Sequence, residues 1–320
     1  MRTDEMVDAN DEFMHDPGPH RVWQESFFFS WFDPQSDATG LARIGYRPSN
    51  HTADALLYTM RNGRVEGGYA RLNARYTGTP DPGRLGIGAL EFHMSEPMSK
   101  WRVLLRGRDE VDLTFTALHA PYDFRAEAPP GQYIPPGIAD VHIEQSGRVT
   151  GTITMNGATY EIDGLGQRDK SWGDRDWRTI EGWNWIPMLF GPDFTMNCTL
   201  LINGGRAYPC GYIHHDGANH AVTELAVDYG MAGLHVPRTS RITVTDVSGL
   251  RLEIQGSATA QSCLYRKGLV IQESAARFET TIDGQRRNGI GLTEHAWHGG
   301  PLGLLRVLPR LRPAARMVMR

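Results

Sequence analysis

The sequence predicts an all-β protein built from many short antiparallel strands, and three observations carry this. Apolar and polar residues alternate along Val111-Asp112-Leu113-Thr114-Phe115-Thr116, Arg241-Ile242-Thr243-Val244-Thr245 and Arg251-Leu252-Glu253-Ile254-Gln255, the period of half-buried strands. Dipeptides suited to tight hairpins punctuate the chain at Asn62-Gly63, Ser146-Gly147, Asn156-Gly157, Asn203-Gly204, Ser248-Gly249 and Asp283-Gly284. Glycine and proline, 36 and 19 residues, make up 55 of 320, more punctuation than a helical chain carries. Turns spaced about ten residues apart fit an antiparallel sandwich or barrel.

The chain is about twice the length of an average domain, so two domains or one large β unit are expected. Residues 1–15 hold five acids and one Arg with no apolar run behind them, unlike a secretory or transit peptide. No stretch approaches the ~18 apolar residues of a membrane-spanning helix, so the expectation is a soluble, cytoplasmic protein. Proline-rich Glu127 to Pro136 reads as a long connection, with strands resuming at Asp140 to Gln145. This predicts an N-terminal unit over 1–137 and a C-terminal unit over 138–320. A shared Ser-Trp-x-Asp pattern, Ser30-Trp31-Phe32-Asp33 and Ser171-Trp172-Gly173-Asp174, suggests that the units are related.

Helical pieces are few: a turn after Asp193, a short segment in Val222 to Tyr229, and the tail from Leu302. The tail carries Arg306, Arg310, Arg312, Arg316 and Arg320, which suits contact with an anionic membrane surface. Pro309 and Pro313 interrupt its helical period and favour a tail that is solvated or docked on its own barrel.

Composition excludes several functions. Thirty-three basic against 37 acidic residues leave a net charge of −4, which disfavours a nucleic-acid partner. Cys198, Cys210 and Cys263 are odd in number and lack CxxC spacing, so they signal neither a disulfide framework nor a zinc site and read as buried small hydrophobes. No phosphate loop, dinucleotide fingerprint, nucleophile elbow or HExxH is present, and no cofactor is expected.

The chemistry concentrates in Gly164-Leu165-Gly166-Gln167-Arg168-Asp169-Lys170-Ser171-Trp172-Gly173-Asp174-Arg175-Asp176-Trp177, with Trp183 and Trp185 behind it. Four of the eight tryptophans fall within these fourteen residues from 172 to 185. Buried charges need partners, so one reading is a self-neutralising ion-pair ladder at a strand bend. The other is catalytic: a carboxyl walled by indoles loses hydration, its pKa rises, and it holds a proton near neutral pH.

The run Gly-x-Gly-x-Arg-Asp-x-Ser-Trp-Gly-x-Arg-Asp-Trp, with Trp183-x-Trp185, resembles the signature of the tandem lipocalin-like (calycin) superfamily that includes carotenoid 1,2-hydratase and AttH-like proteins, in an uncharacterised Arg-Asp-x-Ser-Trp-Gly branch. Glu25 to Asp33 resembles the start of the first barrel of that superfamily, and Gly289-x-Gly291-x-x-Glu294 its closing strand, so the similarity spans roughly residues 20–300. It implies two antiparallel lipocalin-like β-barrels packed together, with few short helices. It also implies kinship with cofactor-free hydratases and cyclases of lipophilic molecules. The position matching the hydratase proton donor is Asp169, although a Lys-Ser-Trp-Gly run follows it here in place of His-Asn-Trp-Gly.

Other polar residues are weighed against ordinary packing. His93, His119 and His142 occupy strand positions and read as structural. His214 and His215 point to opposite faces of a strand, which argues against a metal centre built on that pair with His220. His295 and Trp297 share a face near a barrel mouth, and Glu25, Tyr46, Tyr212, Glu273 and Glu294 are second-line polar groups for an apolar cavity.

The expectation is a cofactor-independent acid/base enzyme, a hydratase, dehydratase, isomerase or cyclase, acting on a lipophilic terpenoid-, steroid- or polyketide-like molecule in a barrel cavity. Asp169 exchanges the proton and Arg168 or Arg175 orients it. Trp172, Trp177, Trp183, Trp185, Trp31, Tyr212, Trp297 and Glu294 shape the pocket. The alternative is a carrier that binds a hydrophobic metabolite without chemistry.

Overall fold

A computed structural model describes every residue except 1–6, 82, 130–133, 135–136, 234, 267, 300–303, 306, 314–316 and 318–320. The expected all-β architecture is present. Eleven strands build the first half: β1 (Trp23–Asp33), β2 (Ala38–Arg47), β3 (Thr52–Arg61), β4 (Arg64–Arg75), β5 (Leu85–Ile87), β6 (Leu90–Glu96), β7 (Lys100–Leu105), β8 (Glu110–Ala117), β9 (Tyr122–Asp123), β10 (Val141–Met155) and β11 (Ala158–Asp174). Eight build the second: β12 (Gly182–Gly191), β13 (Phe194–Asn203), β14 (Arg206–His215), β15 (Ala218–Met231), β16 (Pro237–Asp246), β17 (Arg251–Arg266), β18 (Leu269–Ile282) and β19 (Gln285–His298).

The first eleven form one antiparallel sheet in the order β4-β3-β2-β1-β11-β10-β8-β7-β6-β5, with β9 paired to β10. It curls around an apolar core that includes Phe27, Phe29, Trp31, Phe92, Trp101 and Phe115. Strands β12 to β19 close a second barrel in sequence order around Ile186, Met188, Met196, Ile213, Val244 and Phe278. The two halves pack through Phe28, Phe32, Leu41, Tyr58 and Met60 against Trp185, Leu189, Ala260, Ala275 and Leu292.

Several expectations are corrected. The division near 137 falls inside the first sheet, because β10 and β11 lie C-terminal to it yet pair with β8 and β1. The proline-rich segment is therefore an excursion within that sheet, and its Pro130, Pro135 and Pro136 lie outside the described residues. The Ser-Trp-x-Asp echo joins paired strands of a single sheet, β1 and β11, rather than matching positions of two barrels. Val222 to Tyr229 is part of β15, where Leu225 and Val227 turn inward at period two against the second core. Asp193 sits in the β12–β13 hairpin, with no helix after it. Ser146-Gly147 lies inside β10, and Gly147 is there because a Cβ would stand 2.3 Å from the Phe115 ring.

The three cysteines are buried and free. In the tail, Arg306, Arg316 and Arg320 lie outside the described residues, while Val307 is buried beside Cys263 and Val270, and Arg310 donates to Gln272 at 3.0 Å. Among the described residues no helix is long and apolar enough to cross a membrane.

One end of the first sheet's interior is plugged by the N-terminal segment, whose 3₁₀ turn at Ala9–Glu12 is capped by Asp8. Buried charges tie the plug to β11. Arg168 pairs with Glu12 at 2.6 Å and donates to Gln145 at 2.8 Å. Lys170 pairs with Glu25 at 2.8 Å and donates to the Phe13 carbonyl at 2.9 Å. His15 closes the cluster, bonding Glu25 at 2.9 Å and stacking on Trp172 at 4.1 Å. Burial works against ionised Glu25, but Lys170 and His15 outweigh it and hold the carboxyl below its usual range.

Lys170→Met removes the cation from this cluster and should lower unfolding stability by about 3–5 kcal/mol in urea denaturation. Arg148→Met, which breaks the exposed Arg148–Asp163 pair, should cost under about 1 kcal/mol. Equal costs would mean that the plug is not held by its ion pairs.

Candidate active site

The site grows from the pleat of β11. Arg168, Lys170 and Trp172 point into the first sheet's interior, so Asp169 and Ser171 point out of it. Register carries this outer face across the sheet, since directly opposed residues share a face. Glu144 on β10 opposes Asp169, Asp169 opposes Phe28 on β1, Phe28 opposes Arg43 on β2, and Arg43 opposes Leu56 on β3. The face meets the second barrel, where Phe28 packs edge-on against Trp185 at 5.3 Å.

Between the two halves lies a cavity of about 180 Å³. Ser26, Phe28, Leu41, Arg43, His142 and Asp169 line it from the first sheet, and Trp183, Trp185, Leu201, Ile271, Glu273 and Glu294 from the second barrel. Phe124, Ile138, Trp177 and Ile180 close it from the connecting segments. Its position between the halves corrects the expectation of a cavity inside a barrel, because both interiors are filled by their own side chains.

Asp169 is pushed up to about 6, chiefly by burial and secondarily by Glu144, while His142, Arg175 and Arg43 pull it down. Burial alone would depress His142. Its Nε2–H donates to Glu144 at 2.7 Å, and this bond together with Asp169 holds the imidazole above its ordinary value. Glu144 also accepts from Trp185 Nε1 at 2.8 Å, from Gln167 Nε2 at 2.9 Å and from Asn197 Nδ2. Four donors use up the hydrogen-bonding capacity of that carboxylate, leaving Asp169 as the carboxyl on this wall free to exchange a proton.

Arg175 donates to the Ile138 carbonyl at 2.6 Å and to Ser171 Oγ at 2.9 Å, and its guanidinium lies 5.2 Å from the Trp177 ring centre. On the opposite wall Glu273 and Glu294 are direct cross-strand partners. Burial and the neighbouring Glu294 push Glu273 well above the carboxylate range, so this pair holds a proton, and Trp183 Nε1 donates to Glu294.

The structure thus brings together Asp169, Arg175, Trp177, Trp183, Trp185, Glu273 and Glu294. Arg168, Trp172, Trp31, Glu25 and Tyr46 lie elsewhere, buried in the first half: alternation places 168 and 172 on the face opposite Asp169, and Trp31 and Tyr46 belong to the first core. Tyr212 is outside the cavity wall and hydrogen-bonds Ser146 and Gln167 at 2.9 and 3.1 Å. Trp297 stacks on His235 at 4.1 Å on the far side of the second barrel's wall, beside the tail.

Sequence reasoning missed Arg43, His142 and Glu144 as parts of the site. The available signal was their spacing: His142 and Glu144 are two apart on one strand face, and Arg43 stands between apolar Ala42 and Ile44 in β2.

His214 and His215 do face opposite ways, His214 stacking on His119 at 4.2 Å and His215 near Phe194 at 6.1 Å. A different trio converges, His215, His220 and Asp246, with donor atoms within 4.8 Å. The His215 and His220 rings stack at 4.0 Å and 18°, and both nitrogens of His215 bond carboxylates, Asp216 at 3.1 Å and Asp246 at 2.9 Å. Stacked rings do not aim two in-plane lone pairs at one ion, so this arrangement does not fit a metal.

Fold and site together define an all-β, two-barrel protein with an apolar, acid-bearing cavity at the junction of the barrels. The chain belongs to the family described as Domain of unknown function (DUF7064), whose model matches residues 8–299. No curated protein matches its sequence.

Solved structures share the fold. A Nitrosomonas europaea protein provisionally called AttH superposes with a TM-score of 0.66 at 14% identity, covering 92% of this chain and 97% of that one. Kievitone hydratase from Nectria haematococca gives 0.64 at 12%, covering 92% and 96%. CghA solved with Sch210972 gives 0.64 at 12%, covering 87% and 89%. These likenesses bear out the two-barrel fold.

Asp169 has a folded pKa above its unfolded value, so its favourable contribution is complete below about 4 and is lost as pH rises through about 6. Asp169→Asn, which cannot ionise, should therefore match or exceed the wild-type Tm at pH 5 and gain on it further at pH 8. A large fall in Tm at pH 8 would make the carboxylate a structural ion-pair partner instead.

Proposed function

We propose that this protein is a cofactor-independent acid/base enzyme of the hydratase, isomerase or cyclase type, acting on a lipophilic small molecule held between the barrels. One observation carries the reading: a largely apolar cavity between the two halves presents a carboxyl, Asp169, with a pKa of about 6. A general acid or base works best when its pKa lies near the operating pH. Names among the structural neighbours support it, one being a hydratase and another having been solved with Sch210972.

In the protonating direction, neutral Asp169 gives its proton to an alkene carbon or to a departing hydroxyl. Cationic character that develops in the substrate is met by the indoles of Trp183 and Trp185. The carboxylate left behind is stabilised by His142, Arg175 and Arg43 and regains a proton from water or from the substrate's next carbon. In the reverse direction ionised Asp169 removes the proton. A cavity near 150 Å³ holds benzene, so about 180 Å³ accommodates the reacting portion of a terpenoid-, steroid- or polyketide-like molecule.

Incubation with a panel of lipophilic alkenes and alcohols, followed by mass spectrometry and chromatography, should reveal gain or loss of water or an isomer of new retention time. For substrate protonation kcat should fall as pH rises past about 6, and Asp169→Asn should lower it by about 10²–10⁴-fold. Wild-type turnover by Asp169→Asn would remove that residue from the mechanism. Ligands that bind yet return unchanged across the panel would identify a carrier.

A further inference from the structure

We infer that the cavity takes a lipophilic carboxylic acid, whose carboxylate bridges the Arg43 and Arg175 guanidiniums while its hydrocarbon body lies against Trp183, Trp185 and Ile271. This names the charged group of the substrate and rests on the reading above for the cavity being the binding site.

The wall around Arg43 carries more positive than negative charge. Arg43, Arg47, Arg175 and Arg266 gather around two carboxyls, Asp54 and Asp169. Asp54 is already occupied: Arg47 grips it with two bonds of 2.5 and 3.0 Å, and Arg266 of the second barrel reaches it at 2.6 Å. His142 is balanced by Glu144. That leaves Asp169, itself partly protonated near neutral pH, as the carboxyl available to both Arg43 and Arg175. Among the described residues, the buried Arg43 Nη2 has no hydrogen-bond partner.

Burial of a cation without a matching anion is unfavourable. Burial, and then repulsion from Arg266 and Arg175, lowers Arg43 to about 9; burial also lowers Arg175 to about 10. A bound carboxylate supplies the missing negative charge, whereas a neutral ligand leaves the excess in place. A carboxylate also matches the paired donors of a guanidinium.

The backbone makes room for this cation. Arg43 lies over Gly45, where a Cβ would stand 2.5 Å from Nη2 and 2.6 Å from Nη1. At the far wall the Glu273–Glu294 pair repels an anion, so the cavity orients the acid with its head beside Asp169.

Isothermal titration with octanoate and with octan-1-ol at pH 7.5 tests the inference. Wild-type protein should prefer octanoate at least tenfold. Arg43→Met should abolish the preference, and Gly45→Ala, which displaces the guanidinium but keeps its charge, should reduce it with the circular dichroism spectrum unchanged. Asp169→Asn should bind octanoate as tightly as wild type or more tightly, since it removes a competing anion.

Equal affinity for the two ligands, no octanoate binding at millimolar concentration, or a preference that survives Arg43→Met would overturn the inference. The two readings fail separately. Octanoate preference with full turnover by Asp169→Asn sinks the proton-transfer role and leaves the acid site standing. Equal affinities with an inactive Asp169→Asn do the reverse.

Discussion

The alternation of side chains along β11 is the constraint on which the rest depends. A strand must send consecutive residues to opposite faces, and here Arg168, Asp169, Lys170, Ser171 and Trp172 are consecutive. One face supplies the cations and the indole that anchor the N-terminal plug inside the first sheet. The other supplies the carboxyl that faces the second barrel. The charged run therefore divides by parity, one set of residues tying the N-terminal segment and the other facing the cavity. A one-residue slip of β11 would bury Asp169 against Glu12 and Glu25 and turn Lys170 to the cavity.

The junction of the barrels then sets the behaviour of Asp169. Trp177, Trp183 and Trp185 exclude water, which favours the neutral acid, while His142, Arg43 and Arg175 favour the anion. Neither tendency wins outright. With apolar walls alone the acid would hold its proton too tightly to give it up, and with cations alone it would stay ionised. Glu144 contributes indirectly, since its four donors tie His142, Trp185, Gln167 and Asn197, groups from both barrels, beside Asp169.

Local chemistry made much of this legible in the sequence. Period two in Val111 to Thr116 and Arg241 to Thr245 marked true strands, and most Asx-Gly pairs marked true hairpins. Asp169, Arg175 and the tryptophans from 177 to 185, which line the cavity, could be singled out because charge beside indole is costly unless it is paired or serves a site. Pairing partners were hidden. Nothing local shows that β11 returns to β1 across more than a hundred residues, so the division at 137 and the Ser-Trp-x-Asp echo misled. Strand parity was readable, yet which parity faces the cavity was not, and so Arg168 and Trp172 were grouped with Asp169. Arg43 and His142 enter the site only through cross-strand register, which one strand's sequence does not reveal.

A carbon-13 NMR titration of protein labelled at the aspartate side-chain carboxyls, with Asp169→Asn assigning the resonance, measures the central quantity directly. A midpoint near 6 for Asp169 is the result expected if the junction cavity holds a proton-exchanging acid. A midpoint at or below about 4, the ordinary aspartate value, would contradict it and leave Asp169 as one more member of an ion-pair cluster.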